Sequence, residues 1–206
     1  MANKIDKPRP PALPLAREQY DRRDEDEYSN VLRLFFNRLT NSLNSLFSTD
    51  DGGKALYMPR GLFYSTTNQT VALADTGYPV EFENTYIESG VSIVGDTKIT
   101  VEADGVYNFQ VSIQLESTNS SAKTVWFWIN KNGTDVPYGG HEYVIEGSGN
   151  KQVAVWNFSI DVEAGQYIEM YWATNNTTVD IHTHVPTSPH PGIPSAVVAV
   201  SFVSNL

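Results

Sequence analysis

Residues 105–116, GVYNFQVSIQLE, alternate strictly. Tyr107, Phe109, Val111, Ile113 and Leu115 fall on one side, and Val106, Asn108, Gln110, Ser112 and Gln114 on the other. A period of two with one apolar face predicts a half-buried antiparallel strand. Similar runs rich in Val, Ile, Tyr, Phe and Trp recur to the end of the chain: GLFYSTT, YPVEF, GVSIV, KITVE, KTVWFWINK, HEYVIEG, KQVAVWNFSIDVE, QYIEMYWAT, TVDIHTHV and SAVVAVSFV. Turn signals such as Gly95-Asp96, Asn132-Gly133, Ala164-Gly165 and Pro191-Gly192 separate them. No helical period appears after residue 50. Residues 51–206 are therefore expected to form a mainly β, antiparallel sandwich or jelly roll of about 8–10 strands.

Upstream the period changes. Leu32, Phe36, Leu39, Leu43 and Leu46 recur at spacings of four, three, four and three, with Phe35 and Phe47 beside them. That is the seam of an amphipathic helix over residues 24–50, led by an acidic cluster, Asp24 to Glu27, at the positive end of its dipole. About three heptads make a marginal helix alone in water. Packing on its own domain is the commoner explanation of such a stripe. Its place between a proline-rich segment and Gly52-Gly53 favours instead a short bundle of helices from several chains. Residues 1–23 carry Pro8, Pro10, Pro11 and Pro14, which block helix and strand ladders. Leu13, Leu15 and Tyr20 punctuate this segment, so it reads either as a disordered tail or as an extended arm anchored in a partner's groove.

Some strands do not alternate. In TVWFWINK, Val125, Phe127 and Ile129 share one face, and Trp126 and Trp128 the other. Trp156 lies opposite Val155, and Tyr171 opposite Trp172. A strand apolar on both faces needs cover on both. One sheet of the sandwich covers one face; an identical neighbour would cover the other, since large exposed apolar patches mark interfaces. Trp126, Trp128, Trp156, Tyr171 and Trp172 are thus expected in the core or at a protomer interface.

Composition narrows the function classes. A net charge of −10 argues against a general nucleic-acid partner. The absence of cysteine removes disulfides and thiolate metal sites. No apolar run reaches the ~20 residues of a membrane-spanning helix, so no membrane insertion is expected. The first residues lack the apolar core of a signal peptide, and folding in a cytoplasm is the corresponding expectation.

Taken together, ITVEADGVYNFQVSIQL, WINKNGTDVP, WNFSIDVEAGQYIEMYWA and IPSAVVAVSFV resemble the tumour-necrosis-factor/complement-globular-head jelly roll, in the version common in bacteriophage virion proteins. The resemblance is carried by Gly105-Val106-Tyr107 with Phe109, by Lys131-Asn132-Gly133, and by Val162, Ala164, Gly165, Tyr167 and Ile168. It implies a compact homotrimer. The arm and helix, with YSNVLRLFFNRL, resemble the anchoring segment of fibre-like proteins of marine, cyanophage-like short-tailed phages. From this follow an expected place in the virion, assembled in the host cytoplasm, and expected partners in a tail adaptor, nozzle or capsid protein contacted through the arm.

Candidate chemistry is sparse. There is no Gly-x-Ser-x-Gly elbow, phosphate-binding glycine loop or His-Glu-x-x-His helix, and an enzyme is not expected. His182-Thr183-His184 places two imidazoles on one strand face; around a threefold axis such pairs would suit a transition metal, while the ordinary alternative is two solvated rings. No cofactor is expected and no metal is assigned; His182 and His184 are the metal candidates. Loops 134–142, 173–178 and 185–193 could take a host-surface glycan. The expected function is thus a trimeric fibre or head-decoration protein, with a carbohydrate-binding adhesin as the alternative. A secreted signalling ligand of the same fold is disfavoured by the missing signal peptide and cysteines.

Overall fold

The structure is a computed structural model that describes residues 9–13, 21–47 and 58–206. The chain divides into two compact units, Met1–Tyr57 and Met58–Leu206. In the first, the helix α1 runs Arg22–Phe47. It starts two residues before the acidic cluster because Asp21 caps it: the Arg23 amide donates to Asp21 Oδ1 at 2.9 Å. Asp24 and Glu25 then occupy the first turn. None of its 26 residues is buried.

The second unit contains fourteen strands: β1 (Arg60–Ser65), β2 (Gln69–Thr70), β3 (Tyr78–Pro79), β4 (Asn84–Ser89), β5 (Val91–Val94), β6 (Lys98–Val101), β7 (Gly105–Ser117), β8 (Lys123–Lys131), β9 (Thr134–Asp135), β10 (His141–Ile145), β11 (Asn150–Val162), β12 (Tyr167–Thr174), β13 (Val179–Ile181) and β14 (Ala196–Ser204). They form two antiparallel sheets of seven, a jelly-roll sandwich. Sheet A runs β2-β13-β7-β14-β1-β4, with β11 along the other edge of β7. Sheet B runs β10-β8-β12-β6-β5, with β3 added to β12 and β9 to β8. The strand count exceeds the expectation because β2 and β9 are two residues long, too short to show a period, and β4 was not anticipated. All of β4 is exposed except half-buried Asn84, so it presents no apolar face to recognise.

The core lies between the sheets. The apolar face of β7, Tyr107, Phe109, Val111, Ile113 and Leu115, is fully buried, as the alternation predicts. Opposite it stand Val125, Phe127 and Ile129 of β8 and Ile168, Met170 and Trp172 of β12. Each such side chain contributes about 1.5–3 kcal/mol of burial. Gly105 opens β7 because a Cβ there would lie 2.8 Å from the Ser204 carbonyl oxygen and inside the Phe202 ring. Asn132 and Gly133 both take positive φ, 51° and 80°, so β8 and β9 join in the hairpin turn whose twist matches the strands. Between the sheets' edges, Lys131 Nζ donates to both the carbonyl and the carboxylate of Asp161 at 2.8 Å.

Candidate functional site

The outer face of sheet B answers the question that the two-faced strand raised. Trp126 and Trp128 point away from the core and are half-buried. Their cover comes from the same chain. Trp128 sits directly opposite Tyr171 and stacks on it, ring centroids 5.7 Å apart, and its indole N–H donates to Asp135 Oδ1 at 2.9 Å. The Gly77 backbone lies so close over the indole that a Cβ would stand 2.8 Å from the ring. Trp126 faces Glu142 across the β8–β10 pair and donates to its Oε2 at 2.9 Å. Loop 74–77, β9 and β10 thus supply part of the cover of these tryptophans within one chain, and both rings stay half-buried on the outer face. Trp156 and Trp172 are buried core residues, and Trp156 packs on Phe127 at 5.1 Å. Tyr171 stays half-buried on the outer face.

The outer face of sheet A is different. It is paved by Val106, Asn108, Gln110, Ser112 and Gln114 of β7, with flanking valines. Val153 and Val155 of β11 lie opposite Gln114 and Ser112, and Val197 lies on the other side of Ser112. Val155 is 63% exposed, Val153 47% and Val203 56%. Farther along the sheet, Tyr86 of β4 is 74% exposed and Ile87 37%. No aromatic lid or carboxylate partner covers Val153 or Val155 among the described residues.

α1 presents its seam similarly. Phe36, Leu43 and Leu46 are exposed, and Leu32 and Leu39 half-buried. Of the arm residues, Pro10 and Leu13 are exposed and Pro11 is half-buried, without helix or strand in residues 9–13. Pro8, Leu15 and Tyr20 lie outside the described residues.

At one end of sheet A the two candidate histidines meet a partner that the sequence pattern did not reveal. Glu116 of β7 pairs with Asp180 of β13 on one side and Lys151 of β11 on the other. The His182 amide continues that ladder by donating to the Gln114 carbonyl at 2.9 Å. Glu116 and His182 therefore emerge on one face, with His182 Nε2 3.0 Å from Glu116 Oε2. The contact is not aligned as a hydrogen bond: Glu116 Oε2 and His182 Nδ1 are buried atoms that make no hydrogen bond. His184 is fixed by a backbone bridge to Ile193, and its ring lies 5.0 Å from that of His182. Lys151 Nζ stands 3.6 Å from Glu116 Oε2 and 3.2 Å from His184 Nε2. Desolvation, then the Lys151 charge and His182, hold His184 below the ordinary imidazole range. Burial raises the Asp180 carboxyl despite the opposing pull of His182.

Beside this cluster is a cleft of about 340 Å³, lined by Lys151, His184, Val185, Thr187, His190 and Ile193. Loop 185–193 closes on itself through a Thr187–His190 bridge, and loop 173–178 through Asn176, whose Oδ1 accepts from the amide and hydroxyl of Thr178. In loop 134–142, Tyr138 projects fully into solvent.

No family model matches the chain, and no curated protein matches it. Among solved structures, it is similar to Eiger TNF from S. frugiperda, with 10% identity, a TM-score of 0.48, and coverage of 72% of this chain and 94% of that one.

Proposed function

We propose that the chain is a non-enzymatic, self-associating structural protein. In this reading its jelly-roll heads form a homotrimer, its α1 helices form a short bundle, and its first 23 residues anchor it to a phage virion as a fibre or decoration protein. The observation that carries the reading is α1: a 26-residue helix with a heptad-spaced apolar stripe and no buried residue. Such a stripe in water forgoes about 25 cal/mol for each Å² left uncovered, and identical helices remove that loss. The bare valines of sheet A's outer face support the same reading from a second place. The virion assignment rests on the resemblance of the quoted motifs. Light scattering on the intact chain is expected to give three times the chain mass, and a monomer overturns self-association. Labelled antibody on imaged particles is expected to mark the head or tail surface; unlabelled particles overturn the virion role.

A second reading has its own observation. Trp126, Trp128 and Tyr171 form an aromatic strip on the outer face of sheet B, half-exposed and flanked by Asp135 and Glu142, a surface suited to a sugar ring. A glycan array with the intact chain tests it: saturable binding lost in Trp126→Ala supports a lectin, and no binding removes it.

A further inference from the structure

We propose that Glu116, His182 and His184 form a binding site for one divalent transition-metal ion of the zinc class, built within a single chain. Two imidazoles and one carboxylate are the donor types that zinc takes, with bonds of about 2.0–2.2 Å. One donor atom from each residue lies within 4.8 Å of the other two. Tetrahedral ligation at such bond lengths sets neighbouring donors about 3.3 Å apart. Glu116 and His182 already meet at 3.0 Å, so the closing movement falls mainly to the His184 side chain.

The scaffold is built before any ion arrives. The β7–β13 register places Glu116 and His182 on one face, backbone bridging at Ile193 holds His184, and the Thr183 amide between them donates to Asn68 Oδ1 at 2.8 Å. Two buried polar atoms at this spot, Glu116 Oε2 and His182 Nδ1, lack hydrogen-bond partners, an arrangement that folded proteins seldom leave uncompensated.

Lys151 indicates what the site attracts. Its ammonium lies 3.6 Å from Glu116 Oε2 and between 3.2 and 3.4 Å from both ring nitrogens of His184. Near-equal distances to both nitrogens mean that it is in line with neither lone pair. It stands in for a cation while leaving the imidazole donors unused. Lys151 is half exposed at the end of a flexible stem, so an ion can displace it. The adjoining cleft, which His184, Lys151 and His190 share, supplies room for water or another fourth ligand. Nothing in this arrangement needs a symmetry axis or the function proposed above.

The test is Zn²⁺ binding to the intact chain purified without a polyhistidine tag, followed by equilibrium dialysis with elemental analysis and by the visible spectrum of the Co²⁺ form. One ion per chain with a four-coordinate Co²⁺ spectrum is expected. Glu116→Gln and His184→Ala should each weaken binding at least about tenfold, while Lys151→Met, which removes the competing ammonium, should tighten it or leave it unchanged. Glu116→Gln keeps the shape of the side chain, and circular dichroism checks its fold, so loss of folding in one variant leaves the other as the reading. No saturable binding overturns the site. So does one ion per three chains, which would indicate an axial site, or affinity that follows His141→Ala instead of Glu116→Gln.

Discussion

The two sheets turn contrasting outer faces to their surroundings. Sheet B carries the conspicuous residues, Trp126, Trp128 and Tyr171, yet each indole N–H is bonded and Trp128 is stacked and overlaid within the chain. Sheet A carries modest ones, Val153, Val155 and Val203, and leaves them bare. Side-chain size alone therefore does not identify the face that lacks a partner. A large amphipathic ring can recruit local cover because it has a polar handle; a valine has none, and only another apolar surface covers it.

Breaking the face of sheet A should have the largest effect. On the proposed self-association, Val153→Glu with Val155→Glu is expected to raise the concentration at which the oligomer dissociates by about 100-fold or more, equivalent to about 2.7 kcal/mol. Circular dichroism of the protomer should not change. Sedimentation velocity across a dilution series measures this, and an unaltered sedimentation profile would move the interface elsewhere. Trp128→Ala tests the other side of the comparison. It should lower stability by about 2–3 kcal/mol, below the range for a fully buried tryptophan, with the oligomer mass unchanged in the same experiment. If mass falls instead, the tryptophans belong to the interface after all.

The smallest expected effect concerns the edge where the sheets meet. Lys131, by hydrogen bond and charge, holds the Asp161 carboxyl below its ordinary value of 3.8. A depressed carboxylate contributes stability above its unfolded pKa and loses it as pH falls through the folded value, so the window lies below pH 3.8. Asp161 is 63% exposed, and the pair is therefore worth under about 1 kcal/mol. Urea midpoints of the parent and Lys131→Met should differ slightly at pH 7 and converge at pH 2. A difference that persists at pH 2 would mean that lysine packing, not the ion pair, is responsible.

The same contrast explains how far the sequence could be read. Strict alternation in β7 and the Asn132-Gly133 turn announced buried positions and a hairpin, because both are written in neighbouring residues. The helix start was displaced because a single capping aspartate outweighed an eye-catching acidic run. The cover over Trp128 was not legible, since Gly77 arrives from the loop before β3 and Tyr171 from β12, and the pairing of β3 with β12 and of β12 with β8 must be known first. Asp135 was nearer to hand: once the turn is placed, Asn130 pairs with Asp135, and the carboxylate falls beside the indole. His182 and His184 stood out as a pair, but Glu116 joins them only through the register of β7 against β13. Local chemistry is visible in a sequence; chemistry assembled across a ladder is not.

The order of strands in sheet A has a consequence for synthesis. β14, made after all the other described strands, lies between β7 and β1 in the middle of the sheet. Until residues 196–204 leave the ribosome, no strand joins β1 and β4 to the piece made of β7 with β11, β13 and β2, and each piece has an open hydrogen-bonding edge. The long-range pairing that joins them must wait until those residues are made, which places the completion of the sheet, a pairing of high sequence separation, late in folding.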